Sequence, residues 1–113
     1  MDEFLSIEKI GDVTVVRFSF NEINRDQREE IKQGLQKLMD AGERKFIIDL
    51  TKVGFISSLV IATIIFFAKQ VKENGGAIKI SGLSGEAFSI FQLTQLDKVL
   101  DLYESESDAL ENF

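Results

Sequence analysis

The chain predicts an α/β fold, a mixed and mostly parallel sheet of about five strands with four helices, in the order ββαβαβαβα. Two features carry that expectation. Residues 4–10 and 13–18 are β-prone runs meeting at Gly11-Asp12, the pattern of a tight hairpin that opens the sheet with an antiparallel pair. After the hairpin, short apolar runs alternate with segments of helical periodicity, which lays helices against parallel strands through right-handed crossovers.

The elements follow in order. Residues 21–24 break the strand pattern, and Asn24 is a fit N-cap for a helix whose Ile31, Leu35, Leu38 and Met39 recur at helical spacing until Gly42 ends it. Phe46, Ile47 and Ile48 form the continuous apolar run of a strand covered on both faces, placed at 45–50, with residues 49–54 supplying polar turn residues. A helix is expected over 57–74, closed by Gly75-Gly76, then an alternating strand over 77–81. Residues 86–94 read as helix, 99–103 as a short strand, and Ser105 starts a last helix containing Ala109 and Leu110. No linker, repeat or low-complexity tract divides the chain, and proline is absent, so residues 1–113 are expected to form a single domain.

Composition narrows the function. Ten Phe against one Tyr and no Trp imply plain hydrophobic packing, with no aromatic platform for stacking bases. A net charge of −6, with Lys and Arg dispersed, opposes a phosphate backbone, so no nucleic-acid partner is expected. The chain has no Cys and no His, which removes disulfides, thiolate chemistry, the commonest general base and the commonest metal ligand. Glu22, Asp49, Asp97 and Asp101 are the carboxylates nearest loop positions, but no paired catalytic motif accompanies them. No G-x-x-x-x-G-K-[ST] loop is present, and Gly82-Leu83-Ser84-Gly85 is too short to stand for one. An enzyme is therefore not expected, nor a cofactor or metal. The first residues, MDEFLSIEKIGD, carry acids early and no apolar core with a cleavage site, so the expected location is cytoplasmic. Residues 59–68 are the longest apolar stretch, interrupted by Thr63, and fall far short of the roughly 18 residues a membrane span requires. They read as a core helix, with no direct membrane insertion.

The most informative segment is the junction between the central strand and that helix. Ser57 and Ser58 stand at the helix start, where a serine caps free backbone N–H groups and where the same donors and dipole would favour an attached phosphate. At about 100° per residue, Val60, Ile61, Ile64, Phe67, Ala68 and Val71 gather on one side of the helix and are expected to be buried. Leu59, Ala62 and Phe66 fall with Lys69, Gln70 and Glu73 on the other side, with Thr63 nearby. An apolar stripe there suggests a partner surface. The alternative is that a neighbouring helix or loop covers Leu59 and Phe66, or that two exposed apolar residues carry no function.

Several motifs together resemble one family. Asp49-Leu50-x-x-Val53-x-Phe55-Ile56 followed by two serines and a helix resembles the STAS domain, shared by bacterial anti-sigma-factor antagonists and sulfate-transporter tails. Glu22-Ile23-Asn24 sits where that family has Glu-Leu-Asp before its first helix, and Gly75-Gly76 matches its Gly-Gly before the fourth strand. Phe91-x-Leu93-Thr94-x-Leu96-Asp97-Lys98-Val99 and Ser107-Asp108-Ala109-Leu110 resemble its terminal strand and helix. In its antagonists the junction commonly reads Asp-Ser-Ser-Gly-Leu, which puts Ser57 on the Asp and Ser58 on the phosphorylated serine. Leu59 then replaces the second serine and Val60 the glycine.

The resemblance implies a STAS-like domain that regulates transcription by docking its second helix on an anti-sigma factor kinase or another regulatory protein. Phosphate on Ser58, with Ser57 as a substitute acceptor, would block docking. The implied partner-binding residues are Glu22, Asn24, Ser57, Ser58, Leu59, Ala62, Thr63 and Phe66, and self-association is left open. The alternative within the same fold is a constitutive scaffold or transporter-associated protein with no phosphorylation switch.

Overall fold

The computed structural model describes residues 4–83 and 85–113, so Ser84 of the Gly82–Gly85 stretch lies outside them. Strand β1 (Leu5–Ile10) turns at Gly11, in the left-handed region at φ +62°, and returns as β2 (Val13–Phe20) in antiparallel register. Helix α1 (Arg25–Asp40) leads to β3 (Lys45–Val53), α2 (Ser58–Glu73) to β4 (Ala77–Ser81), and α3 (Gly85–Leu93) with a short 3₁₀ turn (Leu96–Lys98) to β5 (Asp101–Leu102). Helix α4 (Glu106–Glu111) ends the chain. The expected order ββαβαβαβα is the observed one.

The five strands lie in the order β1-β2-β3-β4-β5, antiparallel at the first pair and parallel at the rest. Sequential parallel neighbours joined by right-handed crossovers put every connecting helix on the same face. The core agrees with that placement. Val16, Phe18, Phe46, Ile48 and Ile80 of the sheet pack with Ile31 and Leu35 of α1, Val60, Ile64 and Phe67 of α2, and Phe91 of α3. Residues of opposite parity, Val13, Val15 and Ile47, form a smaller cluster with Ala109 of α4 on the other face. Strand β3 is thus buried from both sides, as its unbroken apolar run requires.

Local chemistry sets the boundaries. Asn24 caps α1 with a full capping box, its side chain accepting from Gln27 N at 2.8 Å while Gln27 Oε1 accepts from Asn24 N at 3.0 Å. Two expectations need correction. Strand β3 runs on to Val53, so Asp49 is a ladder residue, 5% exposed, and not a turn residue. Its carboxylate accepts from Ser81 Oγ at 2.8 Å and Thr51 Oγ1 at 3.0 Å, which is what permits a charged group in that strand. The strand expected over 99–103 is only Asp101–Leu102, because residues 96–98 coil into the 3₁₀ turn and leave Val99 exposed.

Candidate functional site

Parallel strands β2 and β3 end at the same edge of the sheet, so the segment following each leaves side by side. Gly54 N donates to Phe20 O at 2.9 Å across that edge. A Cβ on Gly54 would come within 2.3 Å of Asn21 Oδ1 and 3.3 Å of Asn21 Cα, so a larger residue there would push the Asn21 side chain aside. The close approach brings the exposed Glu22 beside the turn that leads into α2, with Asn21, Glu22, Gly54 and Phe55 lining a shared recess of about 420 Å³, while Asn24, also exposed, is the α1 cap and does not line it.

The two serines differ in what they do. Ser57, half-buried with extended backbone (φ −88°, ψ 167°), is the N-cap of α2, and its Oγ accepts from Val60 N at 3.3 Å. A cap of this kind contributes about 1 kcal/mol. Ser58 is the first helical residue and is exposed. The bulk of Val60, which stands where the family's antagonists have glycine, turns inward and is 0% exposed.

Along α2 the buried set is Val60, Thr63, Ile64, Phe67, Ala68 and Val71. Ile61, expected in the core, is only half-buried, and Thr63, expected near the outer stripe, is 1% exposed. Thr63 tolerates burial because its hydroxyl donates to Leu59 O at 2.7 Å and accepts from Arg28 Nε at 3.3 Å. Of the outer stripe, Ala62 is exposed and Phe66 is 42% exposed, whereas Leu59 is half-buried and packs against the core. Phe66 is not bare, since Lys32 Nζ lies 4.4 Å from its ring centroid.

Those contacts belong to a seam. Helices α1 and α2 both run back across parallel strands, so they lie side by side in the same direction, and side chains one turn apart on α1 meet side chains one turn apart on α2. Arg28 meets Thr63, Lys32 meets Phe66, and Gln36 Oε1 accepts from Gln70 Nε2 at 3.2 Å. Two α1 cations thereby flank the exposed edge of α2.

Sequence reasoning missed two surface residues. Phe55, 56% exposed, projects from the turn between β3 and α2, and Ile65, 42% exposed, lies on the outward side of α2. Phe55 had a signal: an apolar residue in a turn, outside any strand or helix period that would bury it. Ile65 sits inside an apolar run, where the pattern does not separate inner from outer residues. Among the described residues no three His, Cys, Asp or Glu residues come together as metal ligands would, and no helix is long and apolar enough to cross a membrane.

Comparisons with known proteins bear on this arrangement. A provisionally named anti-sigma factor antagonist of Thermotoga maritima is 24% identical over 104 residues, covering 91% of this chain and 92% of its own. A Thermotoga maritima crystal structure under the same provisional name superposes with a TM-score of 0.86 at 21% identity, over 97% of this chain and 94% of that one. An anti-sigma-factor antagonist (STAS) domain protein of Planctomyces limnophilus gives 0.81 at 24% identity over 96% of each chain. SpoIIAA, a cell fate determinant of Bacillus, gives 0.74 in its phosphorylated form, at 16% identity over 96% of this chain and 97% of that one. Its unphosphorylated form gives 0.72 at 14% identity over 96% of each. These likenesses concern the fold. The sequence model described as the STAS domain matches residues 4–109, nearly the whole chain, and on that match the chain belongs to the STAS domain family.

Proposed function

We infer that this chain is a non-enzymatic, cytoplasmic regulatory module that docks through the N-terminal part of α2 on a protein partner of the anti-sigma kinase type, and that phosphate on Ser58 switches docking off. One observation carries the reading. The exposed Ser58 begins a helix whose next outward turns present Ala62 and Phe66, and Phe55, in the turn just before it, shares a recess with Glu22.

Physical chemistry supports a switch at that position. A phosphoserine adds about −1.5 to −2 charges, and that hydrated group would have to be desolvated inside a contact built on Ala62 and Phe66. The helix dipole and the free N–H groups of the first turn stabilise the phosphate where it stands, so modification need not unfold the domain. Structures of SpoIIAA in both states, each sharing this fold, are in keeping with that. Ser58 is the better acceptor of the pair because the Ser57 hydroxyl is engaged as a cap and half-buried. Val60 adds no bulk outward, which lifts a steric objection to a kinase approaching this turn.

A second reading, a constitutive scaffold or transporter-associated protein with no switch, is favoured by Leu59, which stands where the antagonists carry a second serine and anchors instead against the core. Replacing Ser58 separates the two. In partner capture from the native cytoplasm, the switch predicts that Ser58→Ala binds like wild type and Ser58→Asp does not. Equal capture by both variants contradicts it and leaves the scaffold.

A further inference from the structure

On the side of α2 away from α1, an apolar groove lies between the helix and Val99-Leu100. Ala68 and Leu100 form its buried floor, Ile65 and Val99 its exposed walls, and Lys69, Lys72 and Glu73 its rim. At about 400 Å³ it falls in the lower part of the about 300–1,000 Å³ range of small-molecule clefts.

The rim is what selects an occupant. Lys72 Nζ donates to Val99 O at 2.8 Å, which fixes its ammonium across the mouth of the groove from helix to turn. Among the described residues neither Lys72 nor Lys69 has a carboxylate within salt-bridge distance. Glu73 offsets one of these two charges, so the rim keeps an excess positive charge on a chain whose net charge is −6. A held cation at the end of an apolar trough matches a molecule with one anionic head and an aliphatic tail. A neutral lipid would leave the cation unused, and a cationic amphiphile would meet two ammonium groups.

We propose that this groove binds a medium-chain aliphatic carboxylate, the tail between Ile65 and Val99 and the head on Lys72. The inference stands apart from the docking reading, because it uses the opposite flank of α2 and none of Ser58, Ala62 or Phe66.

Titration of the ¹⁵N-labelled chain with decanoate below its micelle-forming concentration tests this, with decanol as the neutral probe of equal tail. Saturable amide shifts are expected at Ile65, Ala68, Val99 and Leu100, with decanol binding about tenfold more weakly for want of one charge-assisted hydrogen bond. Lys72→Met removes the difference between the two probes. Val99→Glu, at a residue 58% exposed and therefore tolerant of a charge, abolishes decanoate binding while the rest of the spectrum stays folded. Equal affinity for decanoate and decanol overturns the proposal, as do shifts spread evenly over Ile7, Phe55 and Leu93, which mean general adsorption. Concentration-dependent self-association that already shields the groove amides assigns it to a second copy and likewise overturns it.

Discussion

Asp49 carries more structural consequence than its sequence position suggests. Its buried carboxylate accepts from Ser81 Oγ, from Thr51 Oγ1 and, at 3.3 Å, from Thr51 N, tying the end of β3 to the end of β4. A Cβ on Gly82 would meet Thr51 N at 2.4 Å and Asp49 Oδ1 at 2.8 Å, so glycine is required beside this cluster, where φ is also +79°. Removing the acceptor strands the fully buried Ser81 hydroxyl, whereas the exposed Thr51 can turn to water, and Asp49→Ala is expected to lower unfolding free energy by about 1–3 kcal/mol in a urea titration. The serines give a sharper contrast. Ser57→Ala loses the cap and about 1 kcal/mol, whereas Ser58→Ala, at an exposed residue with no hydroxyl contact that the helix depends on, stays within about 0.5 kcal/mol of wild type. Equal losses at the two positions would show that the hydroxyl of Ser58 also supports the helix.

At the scale of elements, α4 is held to the sheet by an apolar contact, Ala109 with the partly buried Leu110 and Phe113 against Val13, Val15 and Ile47, and by charge. Its single buried residue is Ala109, while Arg17 of β2 grips Glu106 with Nε at 2.7 Å and Nη2 at 2.8 Å from the two carboxylate oxygens. Arg17 also pairs with Glu8 at 2.8 Å, and both acids hold its guanidinium charged, Glu106 more strongly. In return the hydrogen bonds from Arg17 depress the Glu106 carboxyl below its ordinary 4.5. An acid whose folded pKa lies below its unfolded one contributes stability above the unfolded value and loses it as pH falls through the folded one. Acidification below about pH 4.5 should therefore weaken α4 docking in wild type, and Glu106→Gln should remove that part of the pH dependence. The same variant is expected to cost about 1 kcal/mol at neutral pH, the upper end for a partly exposed bidentate pair. Denaturant titrations at pH 7 and pH 3 compare the two. An identical pH response in variant and wild type contradicts this account of α4.

Element identity was legible in the sequence and side-chain depth was not. Helical spacing, cap residues and short β-prone or continuous apolar runs located the four α-helices and the first four strands, but not the 3₁₀ turn at 96–98. Asn24 and Ser105 were readable as caps for a similarly local reason, and the serine pair as holding one without saying which; Asn24, Ser57 and Ser105 each accept from the third backbone N–H beyond. What failed depended on contacts from other elements. Asp49 became a strand residue through Ser81, thirty-two residues away, and Thr63 became a core residue through Arg28 of α1. Phe66 and Leu59 share a helix stripe, yet Leu59 packs against the core and Phe66 is left under Lys32.

For the whole molecule, the fold gathers loops from two strand ends around one helix start and leaves an exposed aromatic on either side of Ser58. Phe55 and Phe66 are 56% and 42% exposed, while the four largest fully buried side chains, Phe18, Phe46, Phe67 and Phe91, all lie in the core. Losing such an aromatic should barely alter folding, so Phe66→Ala is expected to change stability by under about 1 kcal/mol while weakening partner capture. A charge at the same position is the more direct test, since Leu59 is too packed to mutate without disturbing the core. Partner capture from a lysate of the native cells by wild type and Phe66→Asp, both verified as folded by circular dichroism, measures whether this face docks. The account predicts that proteins held by wild type are lost from the variant, and retention of the same proteins in the same amounts would contradict it.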